Sequence, residues 1–267
     1  MNEINEMLDL MAAMIPEANE LIRYQRSDEN RARCEPYAAE CQRLAELAAA
    51  YGDQCRFLQD KLEKEVVREE HAIGGEVMHR GYYCPSPVQD IVIGNCNRGK
   101  LLKRMTVRSK PTYKYGFNAD SELIIAYTIS EVGIVPEIII RQDQTEIGIK
   151  FLENFGIQEI SESIYRNGKI VSYIHAPYQP CLNSSYGSDV TQFIREDYTY
   201  SAKGLQTADF YDFLNVNVPI LTHWQYHFQH NDEGFLSSYT IAEYEKDTCK
   251  QPVWDGHVYD ISIKRKV

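Results

Sequence analysis

His223-x-x-x-His227-x-x-His230, followed by Asp232, is the densest set of metal-binding or proton-transferring side chains in the sequence. Imidazoles and a carboxylate of this kind can ligate zinc or form a His-Asp general base. The spacing argues against one metal. On a strand rising about 3.3 Å per residue, His223 and His227 share a face but lie about 13 Å apart, whereas ligand nitrogens sit about 2 Å from the ion. His230 falls in a turn, which leaves His227 and Asp232, facing across a hairpin, as the pair on which a hydrolase would have to rest.

Other reactive residue types lack their usual setting. Cys84, in Tyr82-Tyr83-Cys84-Pro85, has no histidine beside it in sequence to lower its pKa. The hydroxyl-rich run Asn183 to Asp189 lacks the strand-Ser-helix context of a nucleophile elbow. No glycine-rich phosphate loop joins a strand to a helix, and Gly74-Gly75 reads as a hinge. Seven cysteines are odd in number, dispersed and never spaced C-x-x-C, which disfavours a disulfide framework and a zinc knuckle. No catalytic, cofactor-binding or metal-ligating residue is therefore assigned, and no cofactor is expected.

The elements that would position such residues divide near residue 75. Before it, apolar residues recur at three and four: Ile4, Met7, Leu8, Met11, Met14, Ile15, Ala18, Leu21 and Ile22, then Cys34, Tyr37, Cys41, Leu44, Ala48, Tyr51, Cys55, Leu58, Leu62 and Val66. This is the stripe of amphipathic helices. Pro16 predicts a kink or a helix start, Ser27 to Asn30 supply cap chemistry, and Gly52-Asp53 could divide the second run. The second stripe has coiled-coil spacing and wants a partner: the sheet, another protein, or a second copy in a homodimer.

After residue 80 the pattern changes to alternating runs separated by short turns, the signature of antiparallel hairpins. The clearest span Tyr113 to Ile129, Ile160 to Ile174 around Asn167-Gly168, Asp197 to Phe213 around Lys203-Gly204, and Gln225 to Tyr244 around Asn231 to Gly234. Glu137 to Arg141 pairs with Glu146 to Phe151, a first hairpin is read from Val88 to Ile93 with Leu101 to Val107, and a last strand from His257 to Lys264. The fold class is thus α+β: an N-terminal antiparallel helical hairpin or three-helix segment (1-75), then a large antiparallel β-meander (80-267), as a curved open sheet or a sandwich.

Composition limits the partners. The 267 residues carry a net charge of -11, which disfavours nucleic acid. The longest uncharged apolar stretch falls well short of the roughly 18 residues needed to span a bilayer, and no signal-peptide pattern opens the chain, so a cytoplasmic location away from membranes is expected. Arg98 to Lys114 hold seven bases and no acid; as an uninterrupted strand, the even-numbered ones would form a strip for an anionic partner, though Pro111 argues against continuity. The 19 tyrosines suit strand packing and also protein-binding surfaces. Tyr198, Tyr200, Tyr211, Tyr226, Tyr239, Arg104 and Arg108 are the candidate partner-binding residues.

Tyr198-x-Tyr200-x-x-x-Gly204-Leu205, Tyr226-x-Phe228 with Asp232-x-Gly234-x-Leu236, and Tyr113-x-Tyr115 with Asp120-x-Glu122-Leu123 resemble the Y-x-Y-D-x-x-G-x-L units of Rhs/YD-repeat proteins. Ser201, Gly116 and Gln229 stand where those units have aspartate, and the spacing has no fixed period. The resemblance implies a β-meander of bacterial toxin systems, found in toxin carriers and in small acidic proteins that neutralise toxins. The expectation is a non-enzymatic immunity-type protein that occludes a cognate toxin. The alternatives are a hydrolase built on His227 and Asp232, and a structural subunit that self-associates through its heptads.

Overall fold

The computed structural model describes residues 23-94, 96-179, 189-244, 252-254 and 257-267. Among them the helical front is one nearly continuous rod. Ser27 Oγ accepts from Asn30 N at 3.1 Å and opens α1 (Asp28–Tyr51), with Asp28 and Glu29 at the positive end of the helix dipole. The helix runs on through Pro36. At Gly52–Gln54 one tight 3-10 turn intervenes, and the rod continues as α2 (Cys55–Glu65) without reversing. The first expected helical segment, Ile4 to Ile22, lies outside the described residues.

The rest is one antiparallel sheet. Its strands are β1 (Arg68–Ile73), β2 (Lys100–Leu101), β3 (Tyr113–Phe117), β4 (Leu123–Ser130), β5 (Gly133–Gln142), β6 (Thr145–Leu152), β7 (Gly156–Arg166), β8 (Lys169–Pro177), β9 (Gln192–Ser201), β10 (Gly204–Leu214), β11 (Ile220–His230), β12 (Leu236–Tyr244), β13 (Pro252–Trp254) and β14 (Tyr259–Asp260). From β3 to β13 each strand lies beside the next in sequence. At the other end β1 inserts between β3 and β2, while β14 pairs with β12. The sheet is open, a meander and not a sandwich. Asn167 and Gly168 take the positive φ angles, 52° and 74°, that a two-residue hairpin requires.

Both faces of the sheet are covered, as adjacent strand residues reveal. Ile125, Ile138 and Ile174 join the core with Cys34, Cys41, Leu44, Ala48 and Cys55 of the rod. Their neighbours Ala126, Ile139 and Tyr173 belong to cores on the opposite face. The heptad stripe therefore finds its partner in the sheet, and among the described residues the helices share their core with it. On the second face a strap from Gly74 to Gly99, including the one-turn helix α3 (Gln89–Val92), and the tail from Tyr259 to Val267 do the covering.

Three expectations are corrected. Arg68–Ile73, assigned to the helical region before 75, is strand β1, held by the Arg68 guanidinium 3.9 Å above the Phe117 ring and by Lys114 to Glu69 at 3.1 Å. Val88 to Ile93 is the strap's helical turn and no strand, because the Ser86 hydroxyl accepts from Gln89 N at 3.0 Å and nucleates it. The basic run from 98 to 114 is broken: only Lys100–Leu101 and Tyr113 onward are strand, and Arg98 turns inward to donate to the carbonyls of Cys84 and Ser86. Among the described residues no helix is long and apolar enough to cross a membrane.

Candidate functional site

The strap carries ionisable groups into the covered face. Gly74 and Gly75, with φ of 78° and 84°, turn the chain back after β1, and Arg80 adopts the left-handed conformation at φ 58°. Its guanidinium lies on the sheet over Gly148, where a Cβ would overlap it. Arg80 Nε donates to Glu137 at 2.7 Å, its other nitrogens to Glu146 and to Ser161 Oγ at 3.2 Å, and Arg141 donates to Glu146 at 2.8 Å. His79 sits between Glu137, at 2.9 Å from Nε2, and the Tyr173 hydroxyl, at 2.7 Å from Nδ1. Its ring stacks on His175 at 4.4 Å; His175 meets Glu159 at 3.0 Å and Lys150 meets the same carboxylate at 2.5 Å.

Burial governs the protonation states. It drives the His79 imidazole down to about 4, so the ring is neutral, donating to Glu137 and accepting from Tyr173. Burial also pushes the Glu137 and Glu159 carboxyls up, but Arg80 and His79 outweigh it at Glu137, and His175 and Lys150 at Glu159; both end well below the ordinary range. Arg80, Arg141 and Lys150 thus balance Glu137, Glu146 and Glu159. The buried Arg80, Glu137 and Glu146, balanced with half-buried Lys150 and Glu159 and the exposed Arg141, tie strap to sheet.

His79, Glu159 and His175 also bring ligand-type atoms within 4.8 Å of one another. They do not fit a metal as arranged. Both His79 nitrogens are engaged, Lys150 occupies Glu159, and two nearly parallel stacked rings, 21° apart, do not aim their in-plane lone pairs at one point.

Glu196, on β9, is a second buried acid of a different kind. It is 0% exposed and accepts from Ser86 Oγ at 2.6 Å, Tyr198 OH at 2.6 Å and Gln89 Nε2 at 3.2 Å, with no cation in direct contact among the described residues. Burial pushes its carboxyl up to about 7, although the two hydroxyls and the more distant Arg98 favour the charged form.

The sequence-predicted residues are not gathered in one place. Tyr198, Tyr226 and Tyr239 are buried in the core beneath the strap and tail, so they are not an exposed contact surface. Each faces inward because it occupies the strand parity of Leu205, Ala208 and Phe210. Tyr200 is half-buried and donates to Ile170 O at 2.8 Å; Tyr211 stacks between Tyr37 and His223. Arg104 and Arg108 are exposed on the irregular segment after β2. His223 pairs with Asp209 at 2.8 Å and His227 with Gln225 at 2.7 Å, while Asp232 is exposed in the β11-β12 turn.

An open groove of about 340 Å³ lies where α2 meets the β4-β5 and β6-β7 strand ends, lined by Tyr127, Ile134, Pro136, Phe151 and Phe155 with Arg56 and Glu153 at its rim. Ile134 is 60% and Phe155 74% exposed. Beneath them Tyr127 OH donates to Glu63 at 2.5 Å, as does Gln59 Nε2 at 2.8 Å, and the hidden Gln59 Oε1 has no hydrogen-bond partner among the described residues. The groove's lining is largely apolar, with two large side chains held in solvent at its mouth. No protein-family model matches this chain, and no curated protein matches it either.

Proposed function

We propose that this chain is a non-enzymatic protein-binding protein of the immunity type, which neutralises a partner toxin by occluding it. The observation that carries this reading is the α2 groove, where Ile134 and Phe155 stand in solvent beside Tyr127, Pro136 and Phe151 around one concavity. Large apolar side chains held at the surface around a concavity are how a protein anchors a partner. The charge supports it too: at -11 the chain accelerates and orients the approach of a basic partner. The partner surface moves from the tyrosines to this groove, because three of those five tyrosines are buried.

The test is capture from the native host at physiological salt with the full chain and with Phe155→Asp. The reading requires a specific protein held by the wild type and released at least about tenfold more readily by the variant, since burying a phenylalanine contributes about 2 kcal/mol. Equal retention by both would refute it.

A further inference from the structure

The end of the sheet opposite β13 carries a second interaction surface. β2 covers only Ala72 and Ile73 of β1, so among the described residues β1 has no strand on its outer side, away from β3, from Arg68 to Glu70. His71 O accepts from Leu102 N on that outer side at 2.8 Å, and Glu69, two residues earlier, turns its backbone N–H and C=O the same way. A trough of about 640 Å³ runs along this edge, walled on its far side by Leu101 to Met105. Lys103 and Arg104 line it in the open; like Lys100, Arg108 and Lys110, they form no ion pair among the described residues. The acids within it are already neutralised. Glu69 holds Lys114 at 3.1 Å, and Glu70 accepts from Arg68 and from Tyr83 OH at 2.5 Å.

We infer that this trough binds an extended acidic protein segment, which adds a strand to the open edge of β1. Backbone hydrogen bonds to Glu69 supply the register. Alternate side chains of the guest then face Lys103 and Arg104 on one side and Leu101, Leu102 and Met105 on the other. Leu102 closes the edge at His71; beyond it no strand covers Glu69 among the described residues, and the flanking segment carries Lys103 and Arg104 with no ion pair among them. A peptide is favoured over nucleic acid because the edge offers paired backbone donors and acceptors, which an extended peptide matches and a phosphodiester does not. This surface is separate from the α2 groove, so it can fail while that reading stands.

The probe is a short fluorescein-labelled peptide alternating Glu with Val, titrated into the full chain by anisotropy, with the Lys-for-Glu peptide and a single-stranded DNA of equal charge as comparisons. The Glu peptide should bind, the Lys peptide should not, and Lys103→Glu/Arg104→Glu should weaken binding at least about tenfold. Because those two side chains are exposed, this variant leaves the fold intact, which circular dichroism verifies. Hydrogen exchange of the Glu69 amide should slow on binding, and Glu69→Pro should abolish it. The inference is overturned by no binding, by binding unchanged in the charge-reversal variant, by DNA binding as tightly as the peptide, or by binding that leaves the Glu69 amide unprotected.

Discussion

Replacing Glu196 by glutamine isolates one buried ionisation from the surrounding network. The carboxyl is 0% exposed, and its donors among the described residues, Ser86, Tyr198 and Gln89, are all neutral. Raising it from 4.5 to about 7 corresponds, at about 1.4 kcal/mol for each tenfold change in proton affinity, to about 3 kcal/mol. The sign follows from which state holds the proton. The folded chain binds it more tightly than the unfolded chain, so this group's stabilising contribution is complete below the unfolded pKa and is lost as pH rises through the folded one. Glutamine keeps the shape and does not titrate: its carbonyl oxygen accepts from Ser86 and Tyr198, as the carboxylate does, while its amide takes the place of the protonated oxygen and meets Gln89 once that side chain turns its own oxygen toward it. Urea unfolding between about pH 5 and pH 8 should therefore show Glu196→Gln gaining on the wild type by about 1.4 kcal/mol per pH unit, levelling off above pH 7 at about 3 kcal/mol. A stability difference that does not vary with pH, or one that turns against the variant at high pH, would refute the assignment of Glu196 as a destabilised buried acid.

Three further outcomes follow from the same geometry. Gly148→Ala places a Cβ where Arg80, Glu137 and Ser161 converge and should cost about 3 kcal/mol or more in chemical denaturation; a loss within about 0.5 kcal/mol would mean that the guanidinium does not lie on the sheet. Tyr198→Phe removes a 2.6 Å hydrogen bond inside the core and should cost about 1 to 2 kcal/mol while leaving partner capture unchanged; lost capture at full stability would return that tyrosine to the interface. Equimolar zinc should leave the melting temperature where it is, because His79 and Glu159 are already engaged; a rise that disappears in His175→Ala would show that the trio rearranges into a metal site.

How much of this was legible depended on the range of the signal. Hairpins are local, and the alternation of Ile160 to Ile174 about Asn167-Gly168 specifies strand, turn and pairing within one short window. The heptad stripe from Cys34 to Val66 announced a helix but not its partner, since a sheet face and a second helix ask for the same apolar spacing. β1 was illegible because Arg68 to His71 are polar, exposed or half-buried residues whose strand state is imposed by β3. The ionic network was harder still. His79 and Arg80 lie far in sequence from Glu137, Glu146, Tyr173 and His175, and only the strap's reversal at Gly74-Gly75 brings them together. The tyrosines misled because a strand tyrosine serves equally in a core and on a surface, and parity alone does not say which face is covered. The groove left little trace: Phe155 is a large aromatic in a turn beside the positive-φ Gly156, and an aromatic in a turn does not by itself mark a surface that something covers.

The most direct measurement is hydrogen exchange on the full chain, alone and with the protein that the proposed capture experiment recovers. Protection should appear in Gly133 to Pro136 and Phe151 to Gly156, around Ile134 and Phe155, and leave the β9-β10 hairpin unchanged. A complex that leaves those two segments exchanging as in the free chain would contradict the account.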